Sequence, residues 1–300
     1  MLQRHYYQIG GVTIQLEANF LLTDNTFRPK FTPFRVEEPG HDVIKIQHKI
    51  THSHVRINNL GEEVYRNPPW RVYENENGWI YLSYNKYIKN SKLRELPTYQ
   101  MVVINHDYSN SVLYHYGEKL HNYIQKGNLN SLSILPTDSL ILAHVFAERD
   151  GLFFHSSGVK MDNQGFLFLG PSGAGKSTIA SFFIDHADVL CDERLLLRKE
   201  EENFRMYGTW SHGSLPIVSP SSAPLKAMMF LEKASENRII LLHNKKDILY
   251  KLLQRLIRPF ETPHWWNKIF SLLDALIHQV PAYIVQFDKS GKVVDLIRNL

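Results

Sequence analysis

In the first part of the chain apolar and polar positions alternate with the two-residue period of a half-buried strand. The pattern is clear over 11–17 (GVTIQLE) and 43–57 (VIKIQHKITHSHVRI), and shorter at 79–84 (WIYLSY) and 101–105 (MVVIN). Asn58-Asn59 and the stretch from Glu74 to Gly78 carry the polar and glycine residues of turns. Residues 137–149 (TDSLILAHVFAER) change period: Thr137 is placed to cap, and Leu140, Ala143 and Ala147 share one helical face. From there strands and helices intermingle. A strand at 152–155 leads through a turn at Asp162-Asn163 to a strand at 166–169 (FLFL), a glycine-rich loop, a helix over 176–186 and a short strand at 188–191 (DVLC). Helices are predicted over 246–258 and from Pro263 onward, then a strand at 282–287 (AYIVQF) and a short tail helix. The reading is an α/β (α+β) protein with a mixed sheet at 136–300, preceded by a β-rich region at 1–135.

Composition narrows the function classes. The 300 residues are 43% hydrophobic and carry a net charge of +4, with no run of five basic residues, which argues against nucleic acid as the main partner. Cys191 is the single cysteine, so neither an internal disulfide nor a cysteine-built metal site is expected. No stretch approaches eighteen uninterrupted apolar residues and the start lacks an apolar signal core, so a cytoplasmic protein with no membrane partner is expected.

The most informative segment is Gly170–Thr178, GPSGAGKST. Gly170, Gly175, Lys176 and Ser177 satisfy the P-loop pattern G-x-x-x-x-G-K-[ST], with a further glycine at 173. The chemistry needs these residue types. Successive backbone N–H groups, including those of Ser172, Ala174 and Thr178, must turn inward around phosphate oxygens, which calls for glycine at the strained positions. Lys176 is suited to the β- and γ-phosphates, Ser177 to Mg²⁺, and a following helix adds positive potential at its start. By chance the pattern arises in about one per cent of chains this long, and an apolar strand before it with an apolar helix after it makes chance rarer still.

Two further elements bear on the loop. The strand at 188–191 runs into Asp192-Glu193, and an acid at the end of a strand near a P-loop holds Mg²⁺ or accepts the proton of an attacking hydroxyl. Asp192 is therefore the candidate base, and Asp192, Glu193 and Ser177 the candidate metal ligands. His155 ends the segment GLFFH, fifteen residues before Gly170, and reaches the phosphates if the two strands are neighbours. Spacing alone leaves it a metal ligand, a phosphate contact or a structural histidine. His48, His52 and His54 fall on one face of a strand; metal ligands converge from separate elements, so a surface or site-facing polar stripe is the expectation. Trp265, Trp266 and Phe270 are expected in core or interface packing, and Pro68-Pro69-Trp70 in a rigid turn.

HSSGV at 155–159, GPSGAGKST at 170–178 and CDER at 191–194 together resemble the HPr kinase/phosphorylase family and its wider relatives, the ATP-dependent phosphoenolpyruvate carboxykinases. GTWSHG at 208–213, APLKAMMFLEKA at 223–234 and LPTDSLILAHVFAERDGLFFHSSGV at 135–159 extend the similarity over about residues 135–240. Glu193 stands where the family carries a second aspartate. The resemblance implies a P-loop kinase domain using ATP or GTP with Mg²⁺, and it places His155 near the metal or the transferred phosphate. It implies an acceptor hydroxyl, either a serine of a peptide or protein, as in the kinases of the lasso-peptide C-terminal serine, or a free serine-like metabolite. HPr kinases are homo-oligomers, so a homo-oligomer is an option. The C-terminal substrate motif of the HPr kinases and the arginine pattern of the carboxykinases have no counterpart here, so decarboxylation is not implied. An ABC-type ATPase is disfavoured because no LSGGQ-like signature follows the loop. The remaining alternative is a nucleotide sensor or scaffold that transfers nothing. Phosphoryl transfer, with Asp192, Lys176 and His155 as catalytic residues, is the reading the sequence favours.

Overall fold

The computed structural model describes residues 4–53, 57–84, 98–134 and 138–300. The chain forms two compact units, Met1–Val145 and Phe146–Leu300. The sequence reading puts the boundary at 135/136; the units part between Val145 and Phe146.

Among the described residues the first unit is built on a nine-stranded mixed sheet. Its strands are β1 (Arg4–Ile9), β2 (Val12–Ala18), β3 (Arg35–Val36), β4 (Asp42–Thr51), β5 (Glu62–Asn67), β6 (Trp70–Asn75), β7 (Gly78–Tyr84), β8 (Thr98–Ile104) and β9 (Asn110–Tyr116), in the order β3-β1-β2-β4-β9-β8-β7-β6-β5. The central pairs β2–β4 and β4–β9 are parallel and the rest antiparallel. The expected hairpin turn between β6 and β7 is present, and a cis peptide at Pro68-Pro69 makes the turn into β6. Helices α1 (Glu118–Gln125) and α2 (Ser139–Ala147) follow.

The second unit holds strands β10 (Gly151–Phe154), β11 (Ser156–Met161), β12 (Gln164–Leu169), β13 (Asp188–Cys191), β14 (Leu195–Glu200), β15 (Asn203–Tyr207), β16 (Ser222–Lys233), β17 (Arg238–Leu242) and β18 (Ala282–Phe287). It also holds helices α3 (Lys176–Ser181), α4 (Lys245–Leu253), α5 (Pro263–Gln279) and α6 (Val293–Arg298). β12, β16 and β18 are parallel neighbours at its centre. Both faces of this centre are covered, so its strands are almost wholly apolar rather than alternating. Leu167, Leu169, Met228 and Phe230 pack with Ile248 and Leu252 of α4 and Ile269 and Leu273 of α5. Phe166, Phe168, Met229 and Leu231 pack on the other side with Ile179 of α3, Phe183 and Val294 of α6. Deleting one of these buried side chains to alanine costs about 2–5 kcal/mol.

Two helices are shorter than their periodicity predicts. α3 ends at Ser181 instead of 186, and the chain continues in tighter i→i−3 turns, Phe183 N to Ala180 O and His186 N to Phe183 O. Those turns seat the Phe183 ring 5.7 Å from that of Phe168 beneath the sheet. α4 ends at Leu253 instead of 258, because residues 255–257 pair with the end of β10: His155 N donates to Arg255 O and Ile257 N to Phe153 O, at 2.7 and 2.8 Å. α5 starts as expected, with Thr262 as cap and Pro263 in the first turn. Trp265 is core, whereas Phe270 is exposed. No described helix is long and apolar enough to cross a membrane.

The histidine stripe is corrected. His48 points inward beside Ile44 and Ile46 and is fully buried, His52 is exposed, and His54 lies outside the described residues. His48 Nε2 donates to Leu132 O (2.9 Å), which leaves Nδ1 to accept from His115 Nε2 (3.0 Å). His115 Nδ1 then accepts from Gln100 Nε2 (3.1 Å), which also reaches Ile134 O (2.9 Å). The chain is satisfied only with both rings neutral. Burial lowers His48 to about 4 and His115 well below its ordinary value.

In the unfolded chain these rings titrate near 6.5, so between that value and about 4 the unfolded state binds more protons. Stability from this pair is therefore fully present above pH 6.5 and is lost as pH falls toward 4, by on the order of 3 kcal/mol for His48. The urea midpoint of the first unit is expected to drop between pH 7 and pH 5, and to drop less in His48→Gln. Equal pH slopes in the two proteins would remove the histidine pair as the cause.

Candidate functional site

Strand direction and register bring four chain segments to one edge of the second sheet. β12 ends at Leu169, paired with Ser156 at the start of antiparallel β11, so His155 lies beside the exit into Gly170. β13 is also antiparallel to β11 and pairs Cys191 with Gly158, so its exit, Asp192-Glu193, emerges at the same edge. β16 is parallel to β12 with Leu169 opposite Phe230, and its last residue, Lys233, reaches that edge too. There a cleft of about 460 Å³ is lined by His155, Ser172–Gly173, Gly175–Thr178, Asp192–Glu193, Gly213–Ser214 and Lys233.

The loop has the backbone its glycines permit. Gly173 and Gly175 take φ of 77° and 98°, the left-handed region. A Cβ at Gly175 would also lie 2.8 Å from the Phe287 ring of β18. Ser157 of β11 donates its hydroxyl to Lys176 O (3.1 Å), fixing the start of α3 against the sheet. α3 is only six residues long, so its dipole adds little to the site. The positive potential comes instead from Lys176 and the loop amides.

The charges of the cleft are partly withdrawn from water. Lys176 is 8% exposed, and its ammonium donates to the carbonyls of Gly170 (2.9 Å) and Pro171 (3.2 Å) at the start of its own loop. Burial lowers its pKa, Arg255 adds to the effect, and Asp192 and Glu193 oppose it. Asp192 is 2% exposed, and its two oxygens accept from the backbone amides of Gly213 (2.6 Å) and Leu215 (2.8 Å). Glu193 is half-buried with the Arg194 guanidinium 3.5 Å away. His155 is held below its ordinary value by burial first, then by Lys176 and Arg194 against the pull of Glu193. Burial pushes the Cys191 thiol behind them up to about 12, so it is inert.

The structure thus gathers His155, Ser172, Gly173, Gly175, Lys176, Ser177, Thr178, Asp192 and Glu193 around one cavity. Gly170 and Ala174 are not among the residues that line it, and a Cβ on Gly170 would meet that of Ala174 at 2.6 Å. Three lining residues, Gly213, Ser214 and Lys233, are not site candidates in the sequence reading. Gly213 and Lys233 sit inside the segments that carry the family resemblance, which was their only signal. Among the described residues no three His, Cys, Asp or Glu side chains converge to hold a metal. The donor set fits Mg²⁺ held mainly by ligand oxygens and water: the Ser177 hydroxyl on the cleft and the half-exposed Glu193 carboxylate are the protein groups available.

The family model of SynChlorMet cassette protein ScmC matches residues 124–300, more than half of the chain and all of the cleft. No curated protein matches the sequence. Among solved structures the Hpr(Ser) kinase/phosphatase from Coxiella burnetii is similar at 14% identity and a TM-score of 0.28, over 49% of this chain and 94% of that one.

The loop's backbone has a consequence that needs no ligand. Gly175→Ala places a side chain at φ 98° and against Phe287, and should lower the unfolding free energy of the second unit by about 1–3 kcal/mol in urea. Adding Phe287→Leu relieves the contact but not the backbone strain, so stability should return only in part. Full recovery would assign the cost to the ring alone.

Proposed function

This chain belongs to the ScmC family, and from the chemistry of its cleft we propose that it is an Mg-dependent, ATP- or GTP-binding kinase that transfers the γ-phosphoryl group to a hydroxyl, preferably a serine of a peptide or protein. One observation carries the reading. A nearly buried lysine of a P-loop sequence, with backbone carbonyls as its partners, lies in an open cleft beside a hydroxyl, a histidine and two carboxylates. An ammonium so placed is ready to exchange those carbonyls for phosphate oxygens.

In this reading Ser172, Gly173 and residues 175–178 cradle the phosphates with their amides, and Lys176 stabilises charge on the γ-phosphate. Ser177, with Glu193 through water, would hold Mg²⁺, which neutralises phosphate charge when bound. The acceptor oxygen forms a bond to the γ-phosphorus while the bond to the β–γ bridging oxygen breaks. The hydroxyl proton passes to the Asp192–Glu193 pair. The sequence reading gives it to Asp192; the engagement of both Asp192 oxygens favours Glu193, the more exposed member. His155, beside Glu193 in the cleft, is suited to the transferred group. Positioning and electrostatics supply most of the acceleration. That same engagement of Asp192 is what favours the second reading, a nucleotide sensor that transfers nothing.

Mg-ATP incubated with serine-bearing peptides and free hydroxyl metabolites should yield a product about 80 Da heavier by mass spectrometry, one phosphoryl group. Glu193→Gln should lower transfer about 10²–10⁴-fold with nucleotide affinity largely kept. Lys176→Ala should weaken Mg-ATP binding by about 10–100-fold. Saturable binding with no product from any acceptor would establish the sensor, and unchanged affinity in Lys176→Ala would sink the phosphate site.

A further inference from the structure

The segment 208–221 joins β15 to β16 without regular secondary structure, yet it is laid along the end of β13. Its flanks are tied by Gly208 N to Ser221 O (3.0 Å), Ser219 N to Leu190 O (3.1 Å) and the Thr209 hydroxyl to Arg194 O. Trp210 is buried, and Leu215 and Ile217 rest on the core beneath α3 and α6. Between those anchors Gly213 and Ser214 are exposed and line the cleft. Their stretch is held by the Asp192 carboxylate, which takes one amide on each oxygen.

A carboxylate 2% exposed needs strong partners, and an opposite charge, Lys176, lines the same cleft. The two do not pair. Lys176 is satisfied by the carbonyls of Gly170 and Pro171, and Asp192 by the amides of Gly213 and Leu215. Each buried charge therefore fastens a different chain segment. We propose that Asp192 is a positioning residue, a latch that holds residues 212–215 so that Gly213 and Ser214 line the cleft of the glycine-rich loop. It keeps this role when a nucleotide is bound, instead of leaving to coordinate the metal. The proposal rests on the kinase reading only for what the cleft holds.

Hydrogen–deuterium exchange on the full chain tests it without any turnover. In the ligand-free protein the amides of Gly213 and Leu215 should exchange about tenfold or more slowly than that of Ser214 between them, which makes no hydrogen bond among the described residues. In Asp192→Asn that difference should shrink about tenfold while amides of β12 and β16 are unchanged, a local effect that general destabilisation would not give. Adding the non-hydrolysable Mg–AMP-PNP should leave the protection in place. Wild-type amides at 213 and 215 exchanging as fast as that at 214 would overturn the latch, even if the variant fails to fold. Protection lost on adding the nucleotide would overturn it as well, because Asp192 would then have moved to the ligand. A nucleotide that does not bind counts against the kinase reading, and the ligand-free comparison still decides the latch.

Discussion

Parallel pairing of β12 with β16 and of β16 with β18 is the constraint on which the second unit depends. Parallel strands of this kind bury both faces, and here helices and apolar side chains cover each side. With both faces closed, polar chemistry has room only at the strand ends. The hairpin β11–β12 and the antiparallel run of β13 then turn two more chain segments toward the edge where β12 ends. A histidine, a glycine-rich loop, an acidic pair and a lysine, separated by up to 78 positions from His155 to Lys233, become neighbours because three strand directions agree.

At that edge the cost of burying charge is met by the backbone. Lys176 and Asp192 each find carbonyls or amides of a nearby segment, and those hydrogen bonds shape the walls of the cleft. The same rule operates in the first unit without any cleft. There two buried histidines and Gln100 satisfy one another in a single direction, ending on the carbonyls of Leu132 and Ile134. In both cases a polar group inside the protein is informative through its partners rather than through its position in the sequence.

The strands at 166–169, 188–191 and 282–287 and the helix from Pro263 were legible because each is a short apolar run or a periodic stretch bounded by turn or cap residues. The lengths of α3 and α4 were not, because tertiary contacts cut both short: Phe183 is drawn beneath the sheet, and residues 255–257 are claimed by β10. The inward turn of His48 was likewise hidden, since alternation says which residues share a face but not which face meets the core.

The backbone of the glycine-rich loop was set by local sequence. Glycines at 170, 173 and 175 and the Lys176-Ser177 pair dictate a loop geometry within a few residues of themselves, where no distant contact is needed. The tertiary structure alone decided that His155 faces that loop, that Gly213, Ser214 and Lys233 complete the cleft, and that Asp192 is tied to residues more than twenty positions away. These depend on strand register and direction, which are set by the pairing of segments far apart in the chain.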